Sequence, residues 1–279
     1  MACFTRLSHL TFLTIALMLG LATKLVAQVP TPVRTTSLGA ELPTQWEFRT
    51  PEGSTPERIP VNREAGGTRG SENCTPNNQS LIALVPESLI GKTLEEYPKL
   101  FWYMPSTTAS AVEFVLKNAN DEEIYRVKYS LDQSATGETQ MPRIMSLAIP
   151  TSANLTPLKT NQLYYWQLAL VCDPLDRSAD MVVGGGIKRV EPSLTLKMRT
   201  QQATPQERVA LYAKELLWYD TLDTLVELHQ DFPNDRNVQT AWNKLLHSVG
   251  LQSLSEQLNP DRSAALSESL SNSGASSIE

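Results

Sequence analysis

Three aspartates and an arginine crowd one short stretch of the chain: Asp173, Asp176, Arg177 and Asp180. Carboxylates this close together could ligate calcium, which takes several oxygens at flexible geometry. They could also supply the acid and base of glycoside chemistry. The spacing follows no calcium-loop pattern, and Arg177 can neutralise part of the charge. A solvated loop with internal Asp–Arg pairing is therefore the favoured reading. Two aromatic triplets, Phe101-Trp102-Tyr103 and Tyr164-Tyr165-Trp166, form the second lead. A strand sends alternate side chains to opposite faces, which leaves Trp102 and Tyr165 as stacking surfaces for sugar rings or a protein partner. Burial under downstream helices accounts for the same residues and is favoured, since those helices need an apolar partner.

The remaining chemistry is sparse. His229 and His247 lie on helical segments outside the apolar stripes, and no H-E-x-x-H or C-x-x-C spacing builds a zinc site. There is no G-x-S-x-G elbow, phosphate loop or dinucleotide fingerprint. Gly66-Gly67 with Arg69 could wrap an anion, but a tight turn explains it as well. Gly184-Gly-Gly186 precedes a β-branched, basic run and reads as a bulge or bend in a strand. No catalytic residue, metal or cofactor is expected. With 24 basic and 30 acidic side chains, a net charge of −6 and a pI near 5.3, nothing favours nucleic acid.

These residues need elements to position them. Residues 1–27 read as a signal peptide: Arg6, then an apolar run at 10–22, then small residues at Gly20, Ala22 and Ala27. The run is shorter than the roughly 20 residues that span a membrane. Cleavage after Ala27 leaves two cysteines, Cys74 and Cys172, and in an oxidising compartment a disulfide is favoured over two thiols. Residues 28–80 carry a linker's composition, punctuated by Pro and Gly and expected to be mostly disordered. Residues 81–198 hold about seven strand-like segments, at 81–85, 100–104, 111–117, 123–131, 143–149, 164–172 and 182–190. Short strands with polar turns and no intervening helices predict an antiparallel β-sandwich. The sixth puts Tyr164, Trp166, Leu168, Leu170 and Cys172 on one face.

From residue 199 to 258 the period changes to that of about three helices. Thr204-Pro205-Gln206-Glu207 is a capping box with proline at the first helical position. Val209, Tyr212, Ala213, Leu216 and Leu217 follow in helical spacing. A second helix starts near Tyr219, and a third runs from Asn234 or Asp235 to a glycine cap at Gly250. None can bury its stripe alone, so they must pack together or onto the sheet. Residues 259–279 are Ser-rich and expected to be a disordered tail. The fold class is thus α+β.

Several segments resemble a known family: Gly66-Gly67-Thr-Arg-Gly70 with Cys74, Ala83-Leu-Val-Pro-Glu87, Phe101-Trp-Tyr103, Tyr165-Trp166, Ile187-Lys-Arg-Val190 and Trp218-Tyr-Asp220. The sequence is similar to the exported, mostly cyanobacterial proteins catalogued as domain of unknown function 928. The resemblance implies export and a shared fold but no activity. Tyr212, Trp218, Leu225, Leu228 and Pro233 also resemble one tetratricopeptide repeat, with Val209 and Thr221 where such repeats carry small residues.

The combined reading is an exported, non-catalytic module for a protein partner at the cell envelope or exterior. A sandwich binding carbohydrate or another envelope polymer is the alternative, and a hydrolase using Asp173, Asp176 and Asp180 stands third. The mature chain has no membrane span in this reading. Sequencing the N-terminus of protein recovered from its host should give a start near Thr23 or Gln28. An intact Met1 in the soluble fraction would overturn the export signal.

Overall fold

The computed structural model describes residues 41–48, 59–65, 74–75, 79–131, 143–149, 151 and 155–257. The expected signal peptide and Ser-rich tail, the Gly66-Gly67-Arg69 turn and most of the linker lie outside these residues. Nine strands are described: β1 (Glu64–Ala65), β2 (Leu81–Ala83), β3 (Ile90–Thr93), β4 (Lys99–Met104), β5 (Ala111–Asn118), β6 (Glu123–Ser130), β7 (Arg143–Ala148), β8 (Leu163–Val171) and β9 (Met181–Arg189). They form a four-stranded sheet, β1-β2-β4-β7, and a five-stranded sheet, β3-β9-β8-β5-β6. Five helices follow: α1 (Leu194–Gln202), α2 (Pro205–Lys214), α3 (Trp218–Asp231), α4 (Arg236–Ser248) and α5 (Gln252–Gln257). The class is mixed α+β.

Alternation sets the sheets. In β5, Val112, Phe114 and Leu116 enter the core while Glu113 and Lys117 take the opposite face, where they are partly covered. The turn into β6 closes on Asn118, whose side-chain oxygen accepts from the backbone of Asn120 and Glu122 at 2.9 and 3.1 Å. Asp121 holds the left-handed position there, φ 66°, a conformation Asp tolerates better than most side chains. Strand β4 departs from alternation. Leu100 to Met104 are all buried, so both of its faces are covered.

One hydrophobic core takes in both sheets and α2 to α5, from Leu81 and Phe101 through Trp166 to Trp218, Leu225, Trp242 and Leu254. Trp218 and Leu225, two residues of the repeat-like spacing, are therefore spent inside a core shared with strands. The capping box at Thr204 and the positive φ of Gly250, 72°, stand as the residue types demand.

Four expectations need correction. The sheets are not wholly antiparallel: β3 pairs parallel with β9. Its Ile-Gly-Lys-Thr sequence is too short to show a period, and only the neighbouring strand makes it one. Helix formation begins at Leu194, where the Ser193 hydroxyl accepts from Leu196 N at 3.1 Å, and not at residue 199. Gly184 to Gly186 are neither bulge nor bend, but pair in register with Gln167 to Tyr165 of β8. The stretch read as linker is partly built into the fold. Leu42, Trp46 and Phe48 are core residues, Asn62 O accepts from Gly184 N at 2.8 Å, and Arg63 O accepts from Ala83 N at 2.8 Å. Proline removes only its own donor, so a proline-punctuated segment can still pack and pair between prolines.

A disulfide joins Cys74 to Cys172 with Cα atoms 5.3 Å apart, closing a separation of 98 residues. Cys74 O also accepts from Thr107 Oγ1 and Thr108 N, both at 2.7 Å, which fixes the segment to the chain just ahead of β5. Cys172→Ser should lower stability by about 2–5 kcal/mol in thermal unfolding and open the preceding segment to proteolysis. Two free thiols trapped in the isolated wild type would contradict the bridge.

Candidate functional site

The loop between β8 and β9 carries the aspartates, and the structure shows how each is used. Asp173 Oδ1 accepts from Leu175 N at 2.8 Å. Asp176 Oδ1 accepts from Ser178 N at 3.0 Å and from Ser178 Oγ at 2.6 Å, capping a single 3₁₀ turn at Arg177–Ala179. These Ser178 bonds hold the Asp176 carboxyl below its ordinary range. Asp180 Oδ2 accepts from Arg177 Nε at 2.5 Å, while Oδ1 is buried with no hydrogen-bond partner. Arg177 reaches Glu113 Oε1 at 3.4 Å, and Arg126 shares that oxygen at 2.7 Å.

The loop is thus internally hydrogen-bonded, with the Asp–Arg pairing favoured from sequence. Among the described residues no group of three metal-ligating side chains converges. What the loop does present is Leu175, 97 % exposed at its tip. A turn whose Asp173 and Asp176 bond to its own backbone holds an apolar side chain in water at fixed geometry.

The aromatic lead resolves as burial. Trp102 and Tyr165 are both buried, so neither offers a ring to a ligand. Tyr165 donates its hydroxyl to Asp121, which also receives Lys117 Nζ at 2.8 Å, with the ammonium 5.9 Å from the Tyr165 ring centre. Burial, reinforced by the Asp121 carboxylate, pushes the Tyr165 phenol up to about 12. His229 is half-buried with its ring 5.7 Å from Trp242, and burial lowers its pKa; His247 is exposed.

The functional-looking chemistry that the sequence reading left without a role lies at the start of α3. Trp218, Tyr219 and Asp220 are consecutive, buried, and each bonded to a different β segment. Trp218 Nε1 donates to Leu84 O at 2.9 Å. The Tyr219 hydroxyl donates to Gly186 O at 2.9 Å and accepts from Trp166 Nε1 at 3.1 Å. Both Asp220 oxygens accept from Leu94 N at 3.2 Å, and Thr93 supplies a further hydrogen bond. Burial pushes the Asp220 carboxyl up to about 7 against these hydrogen bonds, and nearby Glu95 adds repulsion. The signal was the aromatic pair followed by an acid in a helix's first turn, but nothing local says that the three point at a sheet.

A two-sheet, five-helix α+β domain with these residues at its junction is now defined. The chain belongs to the family described as Domain of Unknown Function (DUF928), which matches residues 64–258. No curated protein sequence matches the chain. Among solved structures it is similar to the fn3 domain of human collagen alpha-1(XX) chain, at 12 % identity over 46 % of this chain and 94 % of that one, TM-score 0.24. It is also similar to Astrotactin-2, a vertebrate-specific, perforin-like membrane protein, at 15 % identity over 64 % of this chain and 32 % of that one, TM-score 0.25. No described helix is long and apolar enough to cross a membrane.

The raised Asp220 pKa sets the sign of a pH effect. The folded state holds the proton that the unfolded chain releases near the ordinary carboxylate range. Stability is therefore greatest below that range and declines as pH rises towards and through about 7. Asp220→Asn keeps an oxygen for Leu94 N and removes the buried charge. It should flatten the pH dependence and match or exceed wild type at pH 8, by about 1–3 kcal/mol. Denaturant unfolding from pH 4 to 8 checks this, and parallel curves for both proteins would contradict it.

Proposed function

We propose that this protein is an exported, non-catalytic module that binds protein at the cell envelope or outside the cell. The observation that carries the reading is the display of large apolar side chains on ordered elements. Leu175 stands 97 % exposed on its hydrogen-bonded turn, and Leu194 and Met198 are 81 % and 64 % exposed on α1. Scattered apolar exposure is ordinary, but side chains held out by a capped turn and a capped helix are pre-ordered for contact. The carboxylates of the β8–β9 loop are engaged in its own structure, which supports a binding role over a hydrolytic one. Burial of Trp102 and Tyr165 takes the aromatic platform away from the polymer-binding alternative.

Export is supported by the short apolar N-terminal run and by a disulfide of a kind that persists in oxidising compartments. The core shared by two sheets, with neighbouring strands of the chain divided between them, supports reading the strands as a sandwich, with the helices closing it. An origin among cyanobacteria follows from the family resemblance alone.

The protein immobilised from its host should retain a specific protein from envelope or extracellular extract, and Leu175→Asp or Met198→Asp should release it. Retention of wall glycan, displaced by free oligosaccharide, would move the assignment to polymer binding. Release of soluble sugars from that glycan would overturn the non-catalytic reading.

A further inference from the structure

The exposed apolar residues stand at opposite ends of one strand. Leu175 precedes β9 on the turn that feeds it, and α1 begins at Leu194, five residues after β9 ends at Arg189. Nine residues of strand put about 30 Å between its two ends, which sets the turn and the helix apart along the chain. The ends also differ in charge. Leu175 is flanked by the exposed carboxylates of Asp173 and Asp176, with Asp176 held ionised by Ser178.

Leu194 and Met198 lie four residues apart and share one face of α1, with exposed Lys197 and Arg199 to either side. Leu194 is also the first helical residue, where the backbone favours anions. Glu191, the acidic residue nearest that end in sequence, is held by the Thr160 hydroxyl at 2.7 Å. Leu196 is the residue of α1 that turns inward, towards Leu211 and Leu217.

We propose that the Leu175 turn of one copy docks on the Leu194/Met198 face of α1 of a second copy, its Asp173 and Asp176 facing Lys197 and Arg199. The partner is this chain itself, chosen because the two surfaces match in both apolar content and charge. The contact joins two different surfaces, so a docked pair still carries one free turn on one copy and one free helix face on the other. Copies then add head to tail along the β9 direction, as an open row or a closed ring. This rests on the protein-binding reading above and names the partner for it. Because charge contributes, association should weaken with salt.

Sedimentation of the full protein as its host produces it tests the pairing. The wild type should show mass rising with concentration beyond a dimer, and less so at high salt. Leu175→Asp spoils the turn, and Met198→Asp spoils the helix face. Both sites are exposed, so each variant should fold with wild-type circular dichroism and remain monomeric. Mixed in equal amounts they hold one intact turn and one intact helix face between them. They should form a capped 1:1 dimer that grows no further, an outcome a symmetric interface does not produce.

A wild type that stays monomeric up to about 1 mM would overturn the proposal. So would folded variants that associate like wild type, or a mixture that remains monomeric. None of these results would touch the protein-binding reading, because retention of a different protein from extract decides that separately.

Discussion

Driving a tryptophan and a tyrosine into a core removes a good deal of apolar surface from water, but it takes an indole N–H and a phenol O–H in with it. Each of those polar atoms is costly unless bonded, by about 1–3 kcal/mol. Trp218 and Tyr219 sit at the first turn of α3, and the acceptors they reach are carbonyls of the β part. The indole takes Leu84 O and the phenol takes Gly186 O, while the Trp166 indole donates back to the phenol. The helix is therefore held at one position and one angle. A shift of an ångström or two would leave three buried donors unpaired at once. Hydrophobic burial supplies the attraction, and these bonds supply its register.

That register dictates small residues opposite it. A Cβ at Gly91 would lie 2.6 Å from the Tyr219 ring, and one at Gly185 would lie 2.4 Å from a Val85 methyl group. At Gly184 the nearest atom would be the Trp166 carbonyl oxygen at 2.1 Å, so no side chain enters without moving β8. The glycine run in β9 is a consequence of dense packing around Trp166 and not of a need for flexibility. The same junction draws in the chain ahead of β1: Phe48 meets Trp218 edge to face at 5.0 Å, with Trp46 stacked behind it. Lys99 on β4 pairs with Asp223 one turn along α3, adding a second, more exposed tie.

Much of this was legible in the sequence, and the boundary of legibility has a physical cause. All seven strand-like segments form strands, and Tyr164, Trp166, Leu168 and Leu170 share the buried face that their alternation shows. Capping at Thr204 and Gly250 was readable because caps are settled within four residues. Strand β3 was not, since its hydrogen bonds come from β9 nearly a hundred residues on, and its own four residues carry no period. The role of Trp218-Tyr-Asp220 was hidden for the same reason. A local pattern records which side chains are apolar, but not which distant carbonyl an indole will meet. In the described part of the stretch read as linker, proline density hid packing segments, since Leu42, Trp46 and Phe48 supply enough apolar surface to bury.

The β8–β9 turn shows how composition misleads when polar groups serve the backbone. Three carboxylates in eight residues suggest a site open to a cation. Yet a turn that leaves a strand must satisfy amides that no ladder reaches, and Asp is the side chain best shaped to do that. Asp173 and Asp176 bond to amides two residues ahead, and Asp180 bonds to the guanidinium three residues back. Little acceptor capacity converges on any one point, so the cluster gives stiffness in place of ligation. Stiffness matters because Leu175, with its apolar surface in water, would otherwise lose conformational entropy on contact with anything. A turn already fixed by its own aspartates has lost most of that freedom in advance. Asp173 and Asp176 thereby set the conformation in which Leu175 is offered, and their charge colours the rim around it.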